Sequence, residues 1–245
     1  MIPKTIHYVW VGNSKKPENI KKCIRTWKKE YKDYKIIEWN ERNFDINSNS
    51  YVKEAYAQKK WAFVSDYIRI WAIYNYGGIY FDTDIIAVKP IDDLLQNKAF
   101  VGYENSYAPF TAVFGAEPKH PFIGRILEEY NKCSKKFDKN NTNTILISNI
   151  LLHEYGCQLG NKEQLLKDDL RVYKKEILCE PSFKSKTIHA YAASWQKKGD
   201  RSFLGNLEAT LRGKCFSKRW IIFFQIPKLL LFRPKVIIGH LLGRI

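Results

Sequence analysis

The sequence predicts a single α/β domain. Apolar runs of strand length at 6–11 and 35–39 flank a segment with helical apolar spacing at 17–31, and such alternation favours an α/β fold. The 245 residues can bury one sizeable core. An apolar content of 45%, with aromatic residues at 15% of the chain, argues against disorder.

The predicted elements follow in chain order. The first strand ends at Gly12, and the first helix has its apolar residues spaced for one buried face at Ile20, Cys23 and Trp27. After the second strand and a polar connection, a long helix is predicted over 51–76, ending at Gly77, because glycine tolerates a left-handed cap. The later prediction places strands at 79–81, 100–104 and 112–115, helices at 121–133 and 143–155, an extended segment at 180–190, and Asp168-Asp169 at a solvated helix end.

The most informative segment is the strand that runs into Asp82-Thr83-Asp84. If the chain stays extended there, side chains alternate, so both carboxylates share one side and Thr83 points away. Paired carboxylates at a strand end favour a hard divalent cation, which in turn can hold a diphosphate. The Asp-x-Asp pattern is weak by itself, and its context has to support it.

That context is the apolar helical segment 61–76, which contains Ser65, Asp66 and Arg69. Asp66 and Arg69 are three residues apart and therefore lie on the same helix face. Burying an ion pair seldom gains stability over apolar packing. The pair is therefore interpreted as a ligand for the hydroxyl groups of a polar molecule, with a structural ion pair as the alternative.

Further candidate residues lie at the end of the first strand and in the segment 189–197. Trp10 lies at the end of the first strand, beside Gly12, where its ring could stack on a nucleobase or pack in the core. His189 could complete the metal shell begun by Asp82 and Asp84, although a lone histidine is more often structural. The nearby Ser194, Trp195 and Lys197 could hold phosphate.

The motifs occur in an order that resembles one family. Segment 2–7 with Trp10 and Gly12, the Ser65–Arg69 motif, segment 77–84 and the His189–Trp195 segment follow one another, and their combination is more specific than any one of them. The chain resembles the family 32 glycosyltransferases and, more distantly, the catalytic domain of clostridial glucosylating toxins. The resemblance implies a GT-A type fold with a mixed, mostly parallel central sheet flanked by helices.

The resemblance also implies a chemistry and its residues. It implies retaining transfer of a hexose from a nucleotide-sugar, with a UDP-sugar favoured, and a Mn²⁺ or Mg²⁺ cofactor. Asp82, Asp84, Asp66 and Arg69 would form the catalytic centre, and His189 would be a further metal ligand beside the two motif aspartates. The donor would bind through Trp10, Val11, Ser65, Asp66, Arg69, Tyr80, Asp82, Thr83, Ser194, Trp195 and Lys197.

One departure and one mechanistic choice accompany the resemblance. Relatives often carry a Thr-Gly-Pro segment after the central helices, and here residues 141–144 read Asn-Thr-Asn-Thr. Retention needs a carboxylate nucleophile or a same-face attack by the acceptor. Glu104 is the candidate nucleophile, with nothing in the sequence to support it, so same-face attack is favoured.

The net charge of +16 is concentrated at the C-terminus. Residues 212–245 contain eight basic side chains and no acidic ones, interleaved with apolar blocks that are shorter than a bilayer span. We expect a transferase domain over 1–211 and a tail over 212–245 that forms helices at an anionic membrane surface; closing the domain's own core is the alternative. No nucleic-acid motif accompanies the charge.

The cellular setting follows from composition. The five cysteines are scattered without a Cys-x-x-Cys pair, which is typical of a reducing compartment. We expect a cytoplasmic protein, peripheral on the inner face of the cell membrane, that extends a glycan or lipid-linked glycan in bacterial surface polysaccharide synthesis. The alternatives are a haloacid-dehalogenase-like phosphohydrolase using Asp82 and Asp84, and a non-catalytic glycan- or membrane-binding module.

Overall fold

A computed structural model describes residues 1–110, 112–132, 137 and 142–191. Over these residues the chain forms a seven-stranded sheet in the order β2-β1-β3-β6-β5-β8-β7 and a two-stranded sheet, β4-β9. The strands are β1 (Thr5–Val9), β2 (Lys35–Trp39), β3 (Gly78–Phe81), β4 (Ile85–Ala87), β5 (Ala99–Gly102), β6 (Val113–Ala116), β7 (Gln164–Leu166), β8 (Leu170–Tyr173) and β9 (Thr187–His189). The predicted tail and the domain boundary at residue 211 lie outside the described residues.

The large sheet is mixed. β1, β2 and β3 are mutually parallel, β5 and β8 run in the same direction, and β6 and β7 are antiparallel to their neighbours. Five strands therefore end at one edge of the sheet. This is the mixed, mostly parallel sheet that the resemblance implies, and the α/β prediction is confirmed.

Helices cover both faces of the sheet. They are α1 (Glu18–Glu30), α2 (Ser50–Ala57), α3 (Trp61–Tyr76), α4 (Pro121–Asn131), α5 (Asn143–His153) and α6 (Lys175–Leu178). One hydrophobic core cluster lies between one face of the sheet and the four helices α2, α3, α4 and α5. A second cluster lies between the opposite face and α1, and Trp27 is fully buried in it. Among the described residues, no helix is both long and apolar enough to cross a membrane.

The single long helix predicted over 51–76 is wrong. The chain forms α2 and α3 instead, and Lys59 between them has a left-handed φ of 56°. The Lys60 amide donates to the Ala55 carbonyl at 2.9 Å, which closes α2 with the cap that glycine usually provides. Because this position is Lys59 and not a glycine, the sequence contains no helix-ending signal between α2 and α3.

Two other parts of the structure differ from the predictions. The extended segment at 180–190 is a strand only at Thr187–His189, because Ser182 and Ser185 form a hydrogen-bonded turn before it. Asp168 and Asp169 are exposed at the end of a single 3-10 turn, Lys167–Asp169, where both have left-handed φ, and this turn joins β7 to β8 in a hairpin that was not predicted.

Candidate active site

The two carboxylates of the Asp82-Thr83-Asp84 motif are brought together by a turn. β3 ends at Phe81, and the Ile85 amide donates to the Asp82 carbonyl at 3.1 Å. The chain leaves the large sheet here and begins β4 of the small one. Asp82, Thr83 and Asp84 are therefore not extended, and the expected alternation of their side chains does not occur. Thr83 is half-buried in this turn.

Arg69 connects α3 to the end of β3. Its guanidinium lies 3.2 Å from Asp66 Oδ1 and 3.0 Å from Asp82 Oδ1. It also donates to the Ser65 carbonyl at 3.2 Å and to the Ser65 hydroxyl at 3.0 Å, and its guanidinium lies 4.5 Å from the centre of the Tyr80 ring. The Arg69 side chain is only 8% exposed, so these contacts are made away from bulk water.

Tyr80 completes this network. Its hydroxyl donates to Asp82 Oδ1 at 3.0 Å and lies 3.1 Å from the Ser65 hydroxyl. One oxygen of Asp82 therefore accepts from Tyr80 and from Arg69. Burial raises the pKa of Tyr80 well above its ordinary range, so its proton is retained for this hydrogen bond.

Asp66 and Arg69 differ in how burial affects their charge. Burial raises the pKa of Asp66 to about 7, although the positive charge of Arg69 and the Asn143 amide oppose the shift. For Arg69, burial alone would lower the pKa, but the nearby Asp82 and Asp66 carboxylates raise it. The arginine is therefore permanently charged, and Asp66 titrates near neutral pH.

A second cluster forms on the other side of the motif. His189 ends β9, which pairs with β4, and this pairing sets Ile85 opposite His189. The His189 Nε2 atom lies 3.4 Å from Asp84 Oδ1, and one potential ligand atom from each of Asp82, Asp84 and His189 lies within 4.8 Å of the others. Burial would lower the pKa of His189, but the Asp84 charge raises it well above its usual range.

This trio fits a divalent cation. Two carboxylates and an imidazole are suitable ligands for Mn²⁺ or Mg²⁺. The His189 Nδ1 atom is buried and has no hydrogen-bond partner among the described residues. Within that part of the chain, one nitrogen of the imidazole ring in this cluster is therefore not used by a hydrogen bond. The residues present are therefore compatible with the cofactor implied by the resemblance.

Two residues beside this cluster carried no signal in the sequence: Tyr191 was not predicted there, and nothing in the sequence supported Glu104. The Tyr191 ring lies 4.1 Å from the His189 ring, and its hydroxyl lies 3.2 Å from the Cys179 thiol. Burial raises the pKa of Glu104, which the positive charge of His189 opposes and the nearby carboxylates of Asp82 and Asp84 reinforce. Only the position of Glu104 just after a strand could have indicated this, because its neighbours come from distant segments.

The predicted donor residues at the end of β1 lie at the same sheet edge. Trp10 is half-buried, its indole N–H donates to the Ser14 carbonyl at 2.7 Å, and the Lys16 ammonium lies 5.6 Å from its ring. The Val11 side chain is buried in the core, which leaves its backbone for a ligand. Ser194, Trp195 and Lys197 lie outside the described residues, and their roles stay predictions.

A comparison with known protein families matches the part of the chain that contains the central residues of this candidate site. Residues 17–101 match the family model described as the glycosyltransferase sugar-binding region containing the DXD motif. The match spans the Arg69 network together with Asp82 and Asp84. His189 and Glu104 lie beyond it.

Curated relatives have names of the same class. The chain is 28% identical over 154 residues to inositol phosphoceramide mannosyltransferase 1 of Schizosaccharomyces pombe, covering 56% of this chain and 45% of that protein. It is 35% identical over 77 residues to the human alpha-1,4-N-acetylglucosaminyltransferase, covering 31% of this chain and 22% of that protein. The chain thus spans less than half the length of these relatives.

Among solved structures, the PaToxG glycosyltransferase aligns with a TM-score of 0.48 at 21% identity, covering 62% of this chain and 69% of that one. The family match and the named relatives agree on the enzyme class. Over residues 17–101 the chain is therefore similar to the sugar-binding region of DXD-containing glycosyltransferases, the class to which the family 32 resemblance also points.

Proposed function

We propose that this chain transfers a hexose from a nucleotide-sugar, with a UDP-sugar favoured, to a glycan or lipid-linked glycan acceptor, with retention of anomeric configuration. The observation that carries the proposal is the double role of Asp82. It binds Arg69 on one side and lies in the cluster with Asp84 and His189 on the other. A sugar and its diphosphate would meet at this residue.

The residues divide the work between sugar and diphosphate. Asp66, Arg69 and Ser65 offer charged and hydroxyl groups in a mostly buried network, where hydrogen bonds to sugar hydroxyls are strong. Asp82, Asp84 and His189 would hold Mn²⁺ or Mg²⁺. When bound, such an ion stabilises the negative charge that develops on the leaving nucleoside diphosphate.

For the stereochemistry we favour same-face attack, in which the leaving phosphate oxygen takes the acceptor's proton. Asp66 and Asp82 already pair with Arg69, so neither is a free nucleophile. Glu104 is the remaining carboxylate beside the cluster. Mass spectrometry after trapping with a slow fluorinated donor tests this step, and a glycosyl adduct on Glu104 would replace same-face attack with a covalent intermediate.

A lipid-linked acceptor is supported by two independent considerations. The fission-yeast relative is named for a transfer to inositol phosphoceramide, which is a lipid. Residues 212–245 contain eight basic and no acidic side chains among apolar blocks, which suits an anionic membrane surface. We place the enzyme at the inner face of a bacterial cell membrane, in surface polysaccharide synthesis.

Membrane binding is tested with vesicles. Deletion of 212–245 removes half of the net positive charge and should release the protein from vesicles that contain anionic lipid. Each well-placed basic residue is expected to contribute roughly 1 kcal/mol to the free energy of membrane binding. If the deletion does not change vesicle binding, the proposed membrane role of 212–245 is wrong, whereas the proposed transferase activity is not tested by this result.

A phosphohydrolase is less well supported. In that chemistry the first aspartate of the motif is a nucleophile, but here Asp82 Oδ1 accepts hydrogen bonds from Tyr80 and Arg69. The family match also concerns sugar binding. A non-catalytic module is disfavoured because both motif carboxylates are intact, and Asp82 lies in contact with Arg69 and within the cluster with Asp84 and His189.

The deciding experiment is a donor-hydrolysis screen with Mn²⁺ across UDP- and GDP-sugars. One nucleotide should be released in a metal-dependent manner, and Asp84→Ala should abolish the release. Asp93→Ala is the matched control, because Asp93 is an exposed carboxylate that pairs with Lys186 away from the site. If no sugar is hydrolysed and no nucleotide binds in the presence of Mn²⁺, the proposal is wrong.

A further inference from the structure

The loop that follows β5 has a defined shape. The Glu104 amide donates to the Ala108 carbonyl at 2.9 Å, and the Ala108 amide donates to the Asn105 carbonyl at 3.3 Å. The Asn105 side chain accepts from the Tyr107 amide at 2.9 Å. Residues 104–108 therefore form a closed hairpin-like turn, which we call the β5 loop.

The β5 loop is also fixed to its surroundings. The Ser106 carbonyl accepts from the Gly160 amide at 2.9 Å, and the Tyr103 amide donates to the Tyr173 carbonyl at 3.0 Å. The chain after the loop packs inward through the buried Phe110. A residue at the tip is thus held in place by the backbone rather than by its own side chain.

Both ends of this loop adjoin the candidate active site. At its start, the Glu104 carbonyl accepts from the Cys179 thiol at 3.6 Å, and the Cys179 carbonyl accepts from the His189 amide at 2.9 Å. Beyond its end, the Ala112 carbonyl accepts from the Asp82 amide at 3.0 Å. The loop therefore borders the motif carboxylates.

Tyr107 at the tip of the loop is 80% exposed. Tyrosine usually buries most of its ring, and an aromatic ring held out from a rigid turn offers a flat apolar face at low entropic cost. The apolar C–H face of a pyranose ring is a suitable partner for it. The carboxylate of Glu104, three residues earlier, can accept from a sugar hydroxyl.

The sheet order separates this loop from the predicted nucleotide side. β1, which precedes Trp10, adjoins β3 on one flank, whereas β6 and β5 lie on the other. With the nucleobase on the β1 side and the reacting sugar at Asp82, the β5 loop lies on the opposite flank. That flank is where an acceptor would approach.

We propose that the β5 loop is the acceptor subsite, with the Tyr107 ring stacking on the acceptor's sugar ring and Glu104 accepting from one of its hydroxyls. The inference rests on the proposed function, because it assigns the second substrate of the same reaction. It makes Tyr107 a specificity-determining residue for a pyranoside acceptor.

The test uses methyl glycosides of glucose, galactose, N-acetylglucosamine and mannose as acceptor probes, because they carry no aromatic aglycone that could itself stack. With the hydrolysed donor and Mn²⁺, one glycoside should stimulate nucleotide release. Tyr107→Ala should raise the KM for that glycoside about five- to tenfold, as expected for the loss of one stacking contact. The Kd for UDP with Mn²⁺ should stay within about twofold.

Two variants separate stacking from loss of structure. Tyr107→Phe retains the ring and should keep the KM close to that of the wild type. Phe183→Ala removes another exposed aromatic ring, which is 54% exposed and lies on a different loop, and it should leave the KM unchanged. A Tyr107→Ala enzyme with an unchanged KM, or a Tyr107→Phe enzyme as impaired as Tyr107→Ala, would overturn the inference.

A binding measurement distinguishes this inference from the proposed function. Saturation-transfer NMR of the same glycosides with UDP and Mn²⁺ needs no turnover. Contacts that are seen with the wild type and lost in Tyr107→Ala support the subsite even if no donor is hydrolysed. The absence of hydrolysis would then refute only the proposed function. Active enzyme that contacts none of the glycosides would refute only the subsite.

Discussion

At the scale of single residues, Arg69 holds together two carboxylates that would otherwise repel each other. It pairs with Asp66 and with Asp82 while donating to Ser65. A lysine keeps the positive charge but lacks the planar fork that reaches several acceptors at once. The network of contacts at this position therefore depends on arginine geometry and not on charge alone.

We expect Arg69→Lys to lower donor hydrolysis at least about 100-fold, because the Asp66 and Asp82 side chains lose their common anchor. Arg69→Ala should in addition destabilise the fold by about 3 kcal/mol, since it leaves the buried Asp66 carboxylate without its charged partner. Steady-state kinetics and urea unfolding measure the two effects. Arg125→Lys, on the surface of α4 where Arg125 pairs with Glu129 and Glu154, is the control and should change neither.

His7 is a second residue whose charge state is set by burial. Its Nδ1 accepts from the Trp39 indole N–H at 3.0 Å, so Nε2 carries the proton and donates to the Gly77 carbonyl at 2.9 Å. If Nδ1 were protonated, its N–H would face the Trp39 indole N–H, and this hydrogen bond would be lost. Burial lowers the pKa of His7 from 6.5 to about 4.

This shift predicts acid sensitivity of the fold. Below pH 6.5 the unfolded state binds a proton that the folded state does not, so stability falls as the pH drops toward 4. His7 alone should reduce the free energy of unfolding by about 2 kcal/mol between pH 7.5 and 5. Urea unfolding at both pH values measures it. A His7→Gln protein should show a smaller pH dependence, and equal slopes for the two proteins would contradict the assignment.

At the scale of elements, the approach of β3 to β1 depends on Gly78. Its φ is +99°, and a Cβ atom there would lie 2.5 Å from the Thr5 carbonyl oxygen. The neighbour is backbone of a paired strand, which cannot shift without breaking the β1–β3 ladder. Gly78 thus fixes the start of the strand that ends at Asp82.

A pair of glycine substitutions isolates this effect. Gly78→Ala combines the left-handed backbone with the clash and should destabilise the protein by about 3 kcal/mol or more. Gly156 also has a positive φ, of +68°, but nothing lies within 4 Å of its added Cβ, so Gly156→Ala should cost only about 1 kcal/mol. Thermal and urea unfolding compare them, and similar losses would show that β1 and β3 tolerate the extra atom.

Element types were predictable where apolar periodicity was strong. The spacing along α1 and the i, i+3 relation of Asp66 and Arg69 follow from helix geometry, and the structure joins that pair at 3.2 Å. The break between α2 and α3 was not predictable, because Lys59 adopts a glycine-like conformation. The β7–β8 hairpin was not predictable either, because its strands are short and two aspartates adopt the left-handed conformation in its turn.

At the scale of the whole molecule, the candidate metal cluster joins distant parts of the chain. Asp82 and Asp84 follow β3, whereas His189 ends β9, and only the β4–β9 pairing brings them together. A ligand bound by all three should stabilise the folded state, since the unfolded chain does not hold them within reach of one another.

Saturating Mn²⁺ should therefore raise the melting temperature, with a stabilisation of about 2.7 kcal/mol at a concentration of 100 Kd. Chelation with EDTA should reverse the increase. Asp84→Ala should abolish it, whereas Asp93→Ala should show the wild-type response. An equal increase in the Asp84→Ala protein would mean that Mn²⁺ stabilises the chain at another site.

The sequence by itself determined the α/β class and the order of the motifs, because apolar periodicity and short spacings such as Asp82-x-Asp84 are local properties. The tertiary structure alone decided that Asp82 belongs to both the Arg69 network and the candidate metal cluster. It also decided that Glu104 and Tyr191 border that cluster. These contacts depend on which strand ends share a sheet edge, and strand pairing between residues far apart in the chain is not encoded in any local pattern.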